Sequence, residues 1–541
     1  MSSYRYLVFT PVFLLADLTL AGAAPAVPEP PHVPAAQTDA GESVVSPLAD
    51  DTAPSVKDVR FVLNSVHFEY PGMKLDEGEM GRLMQPFLKK EITPAELNEA
   101  LAGLTHYART HGYPAAMAYI PEQTAVKGEI TLRFEPGRLG KIKVASEGVL
   151  HKSVVDRTLA GLKPGTIIQS EKMEESVRNL KDISGVKVTA SLTPGEHSGE
   201  SDLEIELADK DKESYVLYTE NYGGRASGRY RYGLQAEWCN ISHAGDRLNI
   251  GGIISNGKQR GYNIGYELPV GRSATTIGIS YSHSDYELGS VWSQLGFKGK
   301  SDTISLYGRT PLQNQANRGL NLVYALNHRS LSDEYSGIRF GARHSWSVSL
   351  GLDGRYRTLD NALQYNVTLH SGTLVPDSDE ADEFASDGGY KGRYTKATFD
   401  VTGVQKLSGP FDVMLKVSGQ KAASNLDSSE RIYLGGARGV RAYPQGEASG
   451  DEGILGTLEF RYHTKVPGMM LSVYWDAGHV HGQKSASGST TLQGWGLGLS
   501  YVKENDWFAR FDDARRIGWD ESLSSDAQSK QRMWFLLGKV F

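Results

Sequence analysis

Residues 435–453 read Gly435-Gly-Ala-Arg-Gly-Val-Arg-Ala-Tyr-Pro-Gln-Gly-Glu-Ala-Ser-Gly-Asp-Glu-Gly453, and about one strand later the chain reads Val473-Tyr-Trp-Asp-Ala-Gly478. The first stretch is a Gly-rich loop with two arginines. The second sets a carboxylate, Asp476, among residues that alternate apolar and polar. A long cationic loop beside an inward-facing acid is out of place in a soluble sheet. It fits the lumen of a β-barrel, where a charge needs a partner but can still find water.

The sequence around this pair repeats with period two. Tyr232/Leu234/Ala236/Trp238 are apolar, with Gly233, Gln235 and Glu237 between them. The same pattern returns in Ile264/Tyr266/Leu268/Val270, Ile277/Ile279/Tyr281, Leu320/Leu322/Tyr324/Leu326, Trp346/Val348/Leu350/Leu352, Leu458/Phe460/Tyr462 and Leu471/Val473/Trp475. A soluble barrel would turn its apolar face inward and a membrane barrel would turn it to lipid, so alternation leaves both open. The connections decide. Roughly sixteen such segments fit from Ser214 to Phe541, joined alternately by tight turns and long polar loops, as in a transmembrane barrel. The tight turns are Ser242–Asp246, Pro269–Ser273, Val466–Gly468 and Lys503–Asp506; the long loops are Glu287–Lys300, Thr373–Gly389, Arg431–Gly453 and Ile517–Lys530. An even count returns both barrel ends to the periplasmic side. The last segment, Met533-Trp-Phe-Leu-Leu-Gly-Lys-Val-Phe541, resembles the outer-membrane targeting strand read by the barrel-assembly machinery, with Trp534, Phe535 and Phe541 as its aromatic markers.

Composition agrees. The 541 residues accommodate several domains, and 60 glycines and 27 tyrosines suit twisted strands, turns and an aromatic girdle. Beyond the N-terminal apolar stretch, no segment approaches the ~18 uninterrupted apolar residues of a membrane helix. The single Cys239 excludes an internal disulfide, and a net charge of -7 gives no reason to expect nucleic acid.

Ahead of the barrel, Arg5, an apolar stretch from Leu7 to Leu20 interrupted by Asp17, and Ala21-Gly-Ala-Ala24 read as a signal peptide over 1–24. Residues 25–57, rich in Pro, Ala and acids, read as a flexible linker. Two soluble modules follow, over 58–137 and 138–210, with the barrel over 213–541. In the first, a strand at Val59–Tyr70 leads to a helix near Asp76–Lys90. A second helix over Thr93–His111 has Thr93 as N-cap, Pro94 at its first position, and Leu97, Leu101, Leu104 and Tyr107 on one face. Strands near Ala115–Ile120 and Gly128–Glu135 complete it. The second repeats the plan with strand Leu139–Ser146, helices Lys152–Leu162 and Ser170–Lys181, and strands Val186–Leu192 and Asp202–Ala208. Each module reads as β-α-α-β-β.

This layout resembles the two-partner secretion transporters, the TpsB family of ShlB/FhaC/HecB-type hemolysin and hemagglutinin exporters, within the superfamily of the BamA insertase. The resemblance covers about Asp58 to Phe541 and implies α+β periplasmic POTRA domains, two copies, before a 16-stranded antiparallel transmembrane barrel in the outer membrane of a Gram-negative bacterium. Its specific signs are a Val-Arg-Gly-Tyr/Phe motif at the tip of the sixth outer loop and an aromatic-x-Asp-x-Gly motif on a nearby strand. Here they are Val440-Arg441-Ala442-Tyr443, after Gly435 and Gly436, and, following Tyr474, Trp475-Asp476-Ala477-Gly478. Alternation in Leu471–Ala477 puts Tyr474 and Asp476 in the lumen, so Arg441 meets Asp476 only if its loop enters the barrel. Ala442 replaces the family glycine and predicts a different tip conformation if the backbone there needs a positive φ.

The resemblance further implies an unfolded TpsA-type exoprotein of the hemolysin or adhesin class as partner, caught by the POTRA modules and threaded outward through the lumen without cofactor or nucleotide. The barrel-assembly machinery and outer-membrane lipid are the other implied partners. The helix that plugs the pore in many members has only a weak counterpart near Glu42–Asp50. No nucleophile elbow, Walker loop or His-Glu-x-x-His motif is present, and no catalytic residue is expected. His479 and His481 lack a third ligand and read as a loop feature; Asp377, Asp379, Glu380, Asp382 and Glu383 lack EF-hand spacing and read as an acidic surface loop. A barrel insertase shares the loop motif, and a passive porin accounts for the barrel but not the modules.

Overall fold

Thr93-Pro-Ala-Glu96 starts a helix by chemistry that can be checked bond by bond. The Thr93 hydroxyl accepts from the Glu96 amide (3.2 Å) and the Glu96 carboxylate accepts from the Thr93 amide (2.7 Å), a capping box, while Pro94 occupies the first turn, where no amide is needed. The helix runs Pro94–Thr110 and buries Leu97, Ala100, Leu104, Tyr107 and Ala108. In the computed structural model, which describes residues 60–124, 127–145, 148–210, 212–271, 274–289, 296–339, 341–482, 488–518 and 523–541, this face meets the helix Glu77–Met84 and a three-stranded sheet. The signal peptide, the linker and the segment Glu42–Asp50 lie outside the described residues.

In that sheet Ser65–Glu69 pairs parallel with Glu129–Glu135, which also pairs antiparallel with Met117–Tyr119. The strand expected at Val59–Tyr70 is broken in two: Phe61–Val62 pairs instead with Glu91–Ile92. The second module has the same order and sheet plan. Arg138–Ala145 runs parallel to Glu200–Asp209, Val186–Pro194 lies on that strand's other side, and the helices Lys152–Leu159 and Ser170–Lys181 cover one face.

Residues 213–540 form a closed antiparallel ring of sixteen wall strands, from Glu213–Glu220 to Gln531–Val540, which pair with each other to close it. The short Ile338–Arg339 is the tip of a hairpin rather than a further wall strand. Its apolar face is turned outward. Along Arg343–Arg357, Trp346, Val348, Leu350 and Leu352 are 41–56% exposed, while Ser345, Ser347, Ser349 and Gly351 alternate with them on the lumen side. In water that arrangement would expose a continuous apolar belt; in a bilayer, lipid covers it.

The two ends of the barrel differ. At one end the strands are joined by short turns such as 240–246, 315–317 and 503–506; at the other lie the long segments 377–391 and 423–451. The second module sits against the short-turn end. The His151 amide donates to the His243 carbonyl (2.8 Å), Asn240 Nδ2 to the Val149 carbonyl (2.8 Å), and Asn314 Nδ2 to Asp182 (2.6 Å). The acidic outer loop contains a helix, Asp379–Asp387, capped by Ser378, because its acids fall in the first turn where the helix dipole favours them.

Candidate functional site

The loop 423–451 leaves the wall after the strand Phe411–Ala422, enters the lumen, and rejoins the wall at Glu452–His463. Its tip is folded on itself. Leu434 accepts from the Val440 amide (2.7 Å) and donates to the Ala448 carbonyl (3.0 Å), and Gly436 takes a φ of 128°, open to glycine but not to side chains. Gly435, Gly436, Val440, Arg441, Ala442 and Tyr443 are all buried. Gly478 makes room for the fold: a Cβ there would lie 2.7 Å from Leu434 Cδ2.

The wall beneath the tip is flat because the strand Thr490–Val502 turns Gly494, Gly496 and Gly498 inward. Against it Arg441 meets three carboxylates from three strands. Its Nε and Nη2 reach the two oxygens of Asp476 (2.9 and 2.8 Å), and its amide adds a third bond to Asp476 (3.1 Å). Nη1 donates to Asp512 (3.0 Å) and, at 3.4 Å, to Glu459. The guanidinium lies 3.1 Å from the centroid of the Tyr474 ring, a cation–π contact. Thr457 gives Asp476 a fourth bond (2.9 Å), and Arg510 pairs with Asp512 (2.7 Å) and Glu459 (3.3 Å). Two guanidiniums therefore face three carboxylates, and Asp476 is fully buried. A buried pair in this geometry adds modest net stability, but removing one partner costs about 3–5 kcal/mol because the other charge is stranded.

Alternation locates Asp476 on the lumen face but does not reveal Glu459, Asp512 and Arg510, which meet Arg441 from other strands. Each sits at a polar position of an alternating segment; only the ring order brings them together. Trp475 faces outward, 46% exposed. Of the terminal aromatics, Trp534 is buried and donates from Nε1 to the Arg441 carbonyl (2.7 Å), tying the last strand to the loop tip. Phe535 is half-buried beside Tyr230, and Phe541 is exposed.

Ala442 does not have the conformation expected of a strained substitute. Its φ is not positive, and its methyl rests on the wall where a Cβ at Gly494 would come within 2.5 Å of it. The side chain thus fills the space that Gly494 leaves. His479 bonds Thr491 (2.8 Å) and His481 pairs with Glu452 (3.0 Å).

The family model described as haemolysin secretion/activation protein ShlB/FhaC/HecB matches residues 199–501, and that of the ShlB-type POTRA domain matches 61–137. The heme/hemopexin transporter protein HuxB of Haemophilus influenzae (strain 86-028NP) is 24% identical over 506 residues, 91% of this chain and 89% of that protein. Among solved structures, CdiB from Escherichia coli superposes with a TM-score of 0.70 at 18% identity, covering 91% of this chain and 93% of that one. BamA from Haemophilus ducreyi lacking POTRA domains 1–3 gives a TM-score of 0.54 at 15% identity, covering 89% and 100%.

Proposed function

We propose that this chain, which belongs to the ShlB/FhaC/HecB family of haemolysin secretion/activation proteins, takes an unfolded exoprotein from the periplasm and passes it through its barrel to the cell surface. It is an outer-membrane two-partner secretion transporter with its POTRA modules on the periplasmic side. The cargo is a TpsA-type exoprotein of the hemolysin or adhesin class. The observation that carries this reading is the seating of the second module on the short-turn end, which puts binding surfaces at the mouth of a polar lumen.

Capture by strand addition suits those surfaces. Ser65–Glu69 and Met117–Tyr119 are edge strands of the first sheet, and Arg138–Ala145 and Val186–Pro194 of the second. An unfolded chain pairs with such an edge through main-chain hydrogen bonds, which demand little of its sequence. Passage follows through the lumen, and folding outside draws the chain forward without nucleotide. The Arg441–Asp476 pair holds the loop tip against the wall and sets the working shape of the lumen. The protein acts as a conduit rather than an enzyme. During its own biogenesis the Trp534, Phe535 and Phe541 strand is read by the barrel-assembly machinery, after which lipid covers the outer belt.

The test is secretion of a large exoprotein encoded beside this chain, in cells with and without it, with unrelated outer-membrane barrels measured in parallel. Loss of the exoprotein alone supports the exporter; a general fall in barrels would move the assignment to an insertase.

A further inference from the structure

The loop that carries Arg441 is fixed a second time, at its root. Asp427 receives Nε and Nη2 of Arg343 (2.8 and 3.1 Å), and Nη1 of the same arginine donates to Asp333 (2.7 Å). Glu430 takes Arg329 on one carboxylate oxygen (2.9 Å) and Lys396 on the other (2.8 Å). The Glu430 carbonyl accepts from Lys396 and Gln420 (2.7 and 2.9 Å). Three cations on the wall thus meet two loop acids and Asp333, with side chains 3–11% exposed. The charges balance, unlike those at the tip.

The two anchorages lie on different arcs of the wall: the root is held by the strands Arg318–Tyr335, Arg343–Arg357 and Gly392–Lys406, and the tip by Glu452–His463, Met469–His481 and Trp507–Arg516. A loop pinned at both is a strap across the lumen. The anchorages also differ in kind. The tip is packed in an apolar cluster with Leu434, Val440, Ala442, Tyr443, Tyr474 and Leu492, whereas among the described residues the buried apolar cluster at the root is smaller, Leu426 against Tyr394 and Ala422. Releasing the tip would strip three wall carboxylates of Arg441 and open an apolar contact. Releasing the root frees Asp427 and Glu430 toward the outer water and leaves Asp333 to balance part of the wall charge.

We propose that Asp427 and Glu430, through Arg343, Arg329 and Lys396, are positioning residues that hold the loop as a strap across the outer mouth, and that this root anchorage opens for a departing polypeptide while the tip stays locked. The role rests on the exporter reading; the test does not. Full-length protein is purified and its resting conductance recorded in planar lipid bilayers with no exoprotein present, so the result is independent of whether any cargo is secreted. Asp427→Asn with Glu430→Gln removes both loop charges at nearly constant volume, and a several-fold rise in resting conductance is expected. Arg343→Asp and Asp427→Arg should each raise conductance alone and return it toward the parent level together, a rescue that lost packing would not give. Unchanged conductance in an inserted, heat-modifiable double variant would overturn the proposal. So would a charge-swapped pair as leaky as its single variants. If the double variant does not insert, Glu430→Gln alone is recorded: raised conductance supports the gate, while failure to insert or an unchanged trace assigns the cluster to folding and overturns it.

Discussion

Replacing Arg441 with alanine removes the one group that satisfies carboxylates on three separate strands. Its side chain is 6% exposed and donates to Asp476, Asp512 and Glu459; without it Asp512 and Glu459 keep Arg510, while Asp476 keeps the Thr457 hydroxyl. Truncating one partner of such a buried pair costs about 3–5 kcal/mol. At about 1.4 kcal/mol per tenfold, the ratio of locked to free loop falls roughly a hundred- to several-thousand-fold. The wall itself is closed by main-chain pairing that does not involve Arg441, so insertion and heat-modifiability should persist. Exoprotein in the medium should fall sharply, and the loop should become accessible to external protease. Lysine at the same position keeps the charge but not the two-pronged grip on Asp476, and should lie between the two. Parent-level secretion by Arg441→Ala, with the loop still protected, would show that Arg441 does not hold the tip.

Three further outcomes follow from particular contacts. Gly494→Ala places a methyl 2.5 Å from that of Ala442 and should cost about 1–3 kcal/mol at the tip, lowering secretion; adding Ala442→Gly should restore most of it, checked as a double-mutant cycle. Trp534→Phe leaves the Arg441 carbonyl without its indole donor, so secretion should drop while barrel levels in membranes hold; a matching fall in both would assign Trp534 to targeting alone. In the second module the Lys141 amide (2.7 Å) and then the Lys143 ammonium (3.0 Å) hold the Asp202 carboxyl below the usual carboxylate range. A depressed pKa contributes stability that is present above about pH 4 and lost as pH falls through the folded value. Hydrogen exchange of the module in Asp202→Asn should therefore exceed the parent at pH 7, with the difference closing in acid.

Much of the barrel is legible because its signal is repetitive: period-two alternation persists whatever the neighbours, and turns alternate in length. The Thr93–Glu96 capping box is equally local, since all its groups lie within one turn. What alternation cannot supply is which inward residues meet. Arg441 and Asp512 are 71 positions apart, and Arg329 and Glu430 are 101 apart; ring order and loop path decide those encounters. Ala442 shows the complementary case, in which a substitution that suggests strain from the motif alone is accommodated by a glycine on another strand. The helix Asp379–Asp387 went unseen because a run of acids has no apolar period, while its Ser378 cap and the dipole suffice to form it.

A polypeptide that passes through this lumen meets the inward side chains of the wall and not the outward ones. A photo-crosslinking residue at Ser347, which faces inward, or at its neighbour Val348, which is 56% exposed on the outward face, separates passage from mere association. During active secretion exoprotein should crosslink at 347 and not at 348; secretion at parent rate with no crosslink at 347, or equal crosslinking at both, would rule out passage through the lumen.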